Sequence, residues 1–149
     1  MDTKLRVLVV DDQLDTADSL AACVKQWGHE VDVAYNGKQA LEIAEKANPH
    51  IVLLDIMMPD MDGYVVAKKL RNIGCIEAVI IGITALQDDS YRHKSWDNGF
   101  HFYLVKPVDP EKLRKLLDGF EQTIKVENKA KESGIAYLTN KLGKKKETV

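Results

Sequence analysis

Four short, mostly apolar runs in this chain each end on a polar residue that can do chemistry. Leu5–Val10 leads into Asp11-Asp12, Ile51–Leu54 into Asp55, Val79–Ile83 into Thr84, and Phe102–Val105 into Lys106. Runs of that length, rich in β-branched residues, read as strands buried on both faces. Between them the apolar residues recur at helical spacing, and strand–helix alternation implies a parallel sheet, because parallel strands need a crossover, usually a helix. Parallel strands all finish on one edge. The four polar positions therefore converge where open α/β sheets place their ligands.

The intervening segments fit that alternation. Leu14, Ala17, Ala21 and Val24 mark a first helix closed by Gly28, and Val31, Val33 and Tyr35 then alternate at the period of a strand. Asn36-Gly37 opens a second helix with Ala40, Leu41, Ala44 and Ala47 on one face, and Pro49 follows its end. A third starts near Gly63 and carries Val66, Ala67 and Leu70 inward; a fourth is expected from Asp88 to about Asn98, ended by Gly99. Asp109-Pro110 begins a fifth, with an acceptor side chain at the N-cap and proline at the first helical position. Leu113, Leu116, Leu117, Phe120 and Ile124 form its apolar stripe. Five strands and five helices with right-handed crossovers make an α/β sheet covered on both faces.

Length and charge limit the rest. A chain of 149 residues holds one domain of ordinary size and a little more. Composition changes near residue 125: seven lysines face three glutamates in 125–149, a net of +4, against −6 for residues 1–124. The expectation is a domain over 1–124 and a basic C-terminal tail or linker over 125–149, with a weak apolar patch at Ile135–Leu138. The overall charge of −2 argues neither for nor against nucleic acid as a partner, and no direct nucleic-acid binding is expected. No apolar run approaches the roughly 20 residues needed to span a bilayer, and the charged N-terminus is no signal peptide. Cys23 and Cys75 form no Cys-x-x-Cys pair, so reduced thiols and a cytoplasmic setting are expected.

Asp11, Asp12 and Asp55 together suit a hard cation. Mg²⁺ takes oxygen ligands, keeps several waters and is commonly held by a few carboxylates and a phosphate. Without an ion such acids repel, by roughly 4 kcal/mol for two charges 4 Å apart at an effective dielectric of 20. An Asp-Asp pair after a strand also serves as a helix N-cap; Asp55 and Lys106 tip the reading toward a cation site. Asp55 can act as a nucleophile toward phosphorus, giving an acyl phosphate. Lys106 would offer a compact positive charge, and Thr84 a hydroxyl donor, to the phosphoryl oxygens.

Asp11-Asp12, the stretch Asp55-Ile-Met-Met-Pro-Asp-Met-Asp-Gly63, Thr84-Ala85 and Lys106-Pro107 together resemble the receiver domain of two-component response regulators. The resemblance covers about residues 4–124 and implies a flavodoxin-like five-stranded parallel sheet in the order 2-1-3-4-5, with five helices on both faces. It implies that Asp55 is the phosphoacceptor, that Asp12, Asp55 and the backbone carbonyl of Met57 hold Mg²⁺ directly, and that Asp11 acts through water. Lys106 would bridge to the phosphoryl group, Thr84 and Tyr103 would form a switch pair, and the Lys106-Pro107 bond would be cis. The implied function is to accept a phosphoryl group from a histidine kinase or histidine phosphotransfer protein and to change a surface read by a downstream protein target. Such a protein catalyses only its own phosphorylation and dephosphorylation. Met57 and Leu86 depart from the polar residues that many relatives carry two positions beyond Asp55 and Thr84, leaving no side-chain acid or amide to orient water. Trp96 and Asn98 are also unlike the small apolar residues expected there; Trp96 is either core filler or part of a partner surface.

Other readings fail on particular residues. A calcium loop through Asp60-Met-Asp62-Gly63 would need acids where Met58 and Lys69 stand. Aspartyl-phosphate phosphatases need a second acid at the position of Met57, and no glycine-rich nucleotide loop is present. His29, His50, His93 and His101 lack metal-ligand spacing and are expected at the surface or in turns. No output domain is expected after residue 124, and two alternatives stay open beside the regulator: a relay-only receiver of a hybrid histidine kinase, and a basic-tailed adaptor that binds independently of phosphorylation.

Overall fold

Leucine and β-branched side chains fill both faces of a pleat, so the apolar runs become strands. The computed structural model describes residues 4–75, 77–85 and 99–132. β1 (Arg6–Val10), β3 (Ile51–Asp55) and β4 (Val79–Thr84) are almost wholly buried, as central strands must be. β2 (Glu30–Ala34) and β5 (Phe102–Val105) are more exposed and form the two edges. Every pairing is parallel, as the alternation of strands and helices predicts, and the order is β2-β1-β3-β4-β5, as the resemblance implies.

Among the described residues, three helices cross between strands: α1 (Leu14–Gln26), α2 (Gly37–Ala47) and α3 (Gly63–Asn72). The pleat sends Leu8, Val10, Val52 and Leu54 to one face, where they pack with Ala40 and Ala44 of α2 and Val66, Ala67 and Leu70 of α3. Val7 and Val9 point the other way, and α1, which lies against β1 and β2, buries Ala17, Ala21 and Val24. Asn36 caps α2 by accepting the Gln39 N–H at 2.8 Å, and Asp62 caps α3 by accepting the Val65 N–H at 3.0 Å. That cap gives Asp62 a structural use in place of the rejected calcium loop. His29 occupies the turn expected for it but is buried, because Gly28 takes φ +94° and turns the chain straight from α1 into β2. The predicted helix at 88–98, Leu86, Trp96 and Asn98 lie outside the described residues.

The chain divides into two compact units, Lys4–Lys112 and a second that includes Leu113 onward. The sheet, α1–α3 and the polar edge belong to the first. A C-terminal helix, α4 (Pro110–Glu132), starts at the predicted cap, where Asp109 Oδ1 accepts the Glu111 N–H at 3.0 Å. Leu113 and Leu117 are buried along it, while Leu116, Phe120 and Ile124 are half-buried. It runs past residue 124 to Glu132, with Lys125 paired to Glu121 at 3.5 Å, so the change of composition does not interrupt the helix. Among the described residues, no helix is long and apolar enough to cross a membrane.

Candidate functional site

Parallel register fixes where the polar positions fall. Asp11 follows β1, Asp55 closes β3, Thr84 closes β4 and Lys106 follows β5, all on one edge. The chain at each end folds back on the side chain it delivers. Asp11 Oδ1 accepts the Gln13 N–H at 2.9 Å, and Asp55 Oδ1 accepts the Met57 N–H at 3.1 Å. These bonds leave the second oxygen of each carboxylate to face the crevice. The Lys106 ammonium meets both, at 3.1 Å from Asp11 Oδ2 and 3.4 Å from Asp55 Oδ2. The Lys106 N–H also donates to the Thr84 carbonyl at 2.6 Å, tying the lysine backbone to the end of β4. The Lys106-Pro107 bond is cis.

Burial makes this cluster electrostatically tense. Asp11 is 1% exposed and Asp55 3%, whereas Asp12 is exposed. Burial, then the charge of Asp11, pushes the Asp55 carboxyl up to about 7; the Lys106 ammonium and the Met57 N–H pull the other way without prevailing. Burial pulls Lys106 down, but its bond to Asp11 and the charges of both acids outweigh it, so its affinity for a proton rises. One ammonium is thus shared between two buried carboxylates, with a third acid alongside. One ligand oxygen from each of Asp11, Asp12 and Asp55 lies within 4.8 Å of the others. An all-oxygen donor set, short of positive charge, fits a small hard divalent cation.

Gly63 is the position whose reason the sequence does not disclose. It looks like any glycine at a helix start, yet a Cβ there would stand 2.7 Å from both the Asp55 carbonyl oxygen and Ile56 Cα. Only glycine lets α3 begin against the backbone that holds Asp55. Gly63→Ala is expected to shift that backbone and destabilise the fold by about 1–3 kcal/mol, the usual cost of overpacking. Urea unfolding checks this; an unchanged midpoint refutes it.

The structure brings Asp11, Asp12, Asp55 and Lys106 into one cluster. Thr84 is fully buried at the end of β4, beside Val105 in register. Tyr103 sits two residues earlier on β5, half-buried against the core under α2 and α3. Met57, two residues beyond Asp55, is 55% exposed.

The model of the response regulator receiver domain family matches residues 7–118. An uncharacterized 14.6 kDa protein of Leptolyngbya boryana is 36% identical over 118 residues, covering 78% of this chain and 90% of that protein. The probable transcriptional regulator ycf27 of Cyanophora paradoxa is 39% identical over 110 residues, or 74% of this chain. That match takes in 45% of the regulator, so the chain spans about half the length of such relatives. Among solved structures, chemotaxis protein CheY4 of Vibrio cholerae superposes with a TM-score of 0.75 at 29% identity, covering 78% of this chain and 98% of that one.

Proposed function

Because the chain belongs to the response regulator receiver family, we propose that it is a phosphoacceptor of two-component signalling, modified on Asp55. The observation that carries this reading is the buried Asp55 carboxylate held 3.4 Å from the Lys106 ammonium, among acids suited to a cation. An Asp55 oxygen attacks phosphorus in an N-phosphoimidazole; the new P–O bond forms as the P–N bond breaks, and the electron pair returns to the donor's ring nitrogen, which takes up a proton. Lys106 neutralises charge on the transferred oxygens, and the Thr84 hydroxyl is the further donor to them. Asp12, Asp55 and the Met57 carbonyl would hold Mg²⁺ directly and Asp11 would hold it through water, and the ion would supply the remaining positive charge. Dephosphorylation is attack of water on phosphorus with the Asp55 carboxylate leaving. Met57 brings no acid or amide to orient that water.

The chain turns over no independent substrate in this reading. Its upstream partner is a histidine kinase or histidine phosphotransfer protein, and its downstream partner a protein that senses the Thr84–Tyr103 region. Residues 1–124 act as the receiver, 125–149 as a basic tail, and the setting is cytoplasmic. The test is incubation with labelled acetyl phosphate or a phosphohistidine protein, with and without Mg²⁺. Stoichiometric, Mg²⁺-dependent, acid-stable and alkali-labile label on the chain is expected. Absence of label from every donor would overturn the assignment.

A further inference from the structure

The opposite edge of the sheet carries a second device, built on a histidine that the proposed phosphotransfer does not use. His50 immediately precedes β3 and joins three strands. Its backbone N–H donates to the Arg6 carbonyl of β1 at 2.9 Å, and its carbonyl accepts the Val79 N–H of β4 at 2.9 Å. The ring completes the set: Nδ1 accepts the Arg6 backbone N–H at 2.9 Å. Arg6 and His50 thus form a closed two-bond ring one step before the first pair of the β1–β3 ladder, Val7 with Ile51. A side-chain nitrogen stands where the next strand carbonyl would be. His101, immediately before β5, makes the same closure with Ile80, donating to its carbonyl at 2.8 Å and accepting its N–H at 3.2 Å.

We propose that His50 is an acid-sensitive latch: its neutral ring fastens the start of β1 to β3, and protonation releases it. An imidazolium carries N–H at both nitrogens and cannot accept from Arg6, so two donors would be left facing each other. The charged groups around the ring favour the neutral form. From β1, the Arg6 guanidinium is anchored on the Ala47 and Asn48 carbonyls at 3.0–3.2 Å. From β2, Glu30, opposite Arg6 in register, is the opposing acid, and Val79 on β4 brings no charge. Burial first, and then Arg6, hold the ring below the usual histidine range against the pull of Glu30. The unfolded chain therefore binds this proton more readily than the folded one. The latch is intact above the ordinary histidine range, about 6.5, and its stability is lost as pH falls through and below that range.

Asparagine places an acceptor oxygen where Nδ1 stands and does not titrate. The experiment compares native protein with H50N by thermal unfolding from about pH 8 to about pH 5, across the histidine range. The difference between the two proteins isolates His50 from Asp55, whose titration is common to both. The native midpoint should fall relative to H50N as pH drops, with the two closest at the alkaline end. In the native protein, the Arg6 amide resonance should move with the His50 ring titration, which decides the matter even if H50N fails to fold. Equal acid losses in native and H50N, or an Arg6 amide indifferent to ring protonation, would overturn the latch. Labelling of Asp55 at alkaline pH should be the same in both proteins.

Discussion

D55N is expected to take no phosphoryl label from any donor while remaining folded, and above neutral pH to be more stable than the native protein. The loss of label follows from the chemistry: an amide oxygen is a poor nucleophile toward phosphorus, and no other acid replaces Asp55 at the end of β3. The gain in stability follows from the tension in the metal-free site. Asp55 carries a carboxyl raised from 3.8 to about 7 by burial and by Asp11, so ionising it in the fold costs more than in the unfolded chain. That cost is fully present above about pH 7 and shrinks as pH falls toward 3.8. The near-isosteric amide buries no charge and avoids it. Label incorporation and thermal midpoints measured across this range, without divalent cations, test both halves. Persistent label on D55N would refute the acceptor; a variant less stable than native at alkaline pH would refute the account of the tension.

Saturating Mg²⁺ is expected to raise the melting temperature sharply, and D12A to abolish most of the rise. A ligand that binds only the folded state at a hundredfold excess over Kd stabilises by about 2.7 kcal/mol, on the order of 10 °C for a domain of this size. Asp12 is the cleanest of the three acids to remove, because it is exposed whereas Asp11 and Asp55 are buried in contact with Lys106. The rise should also depend on pH. Below about 7 the proton on Asp55 must leave before the cation can use that oxygen, so apparent affinity weakens by roughly tenfold per pH unit. Identical melting curves with and without Mg²⁺ at alkaline pH would exclude a cation site here. A rise that D12A keeps in full would remove Asp12 from it.

The sequence by itself determined the sheet. Apolar runs at Leu5–Val10, Ile51–Leu54 and Val79–Ile83 have one stable use in a chain that alternates with helical periods, and parallel strands leave their polar ends no choice of edge. That is why Asp11, Asp55 and Lys106 are legible in the sequence as one cluster. Local chemistry also fixed the cap at Asp109, since it involves residues within one turn. Tertiary structure alone decided whatever depends on distant backbone. Nothing around Gly63 announces that Asp55's carbonyl lies against it. Nothing around His50 names Arg6, far off in sequence, as its partner. The raised affinity of Asp55 for a proton belongs to the same class, because it comes from burial and from Asp11 just past the end of another strand. Periodicity records which way a side chain faces. It carries no record of which remote atom will be there to meet it.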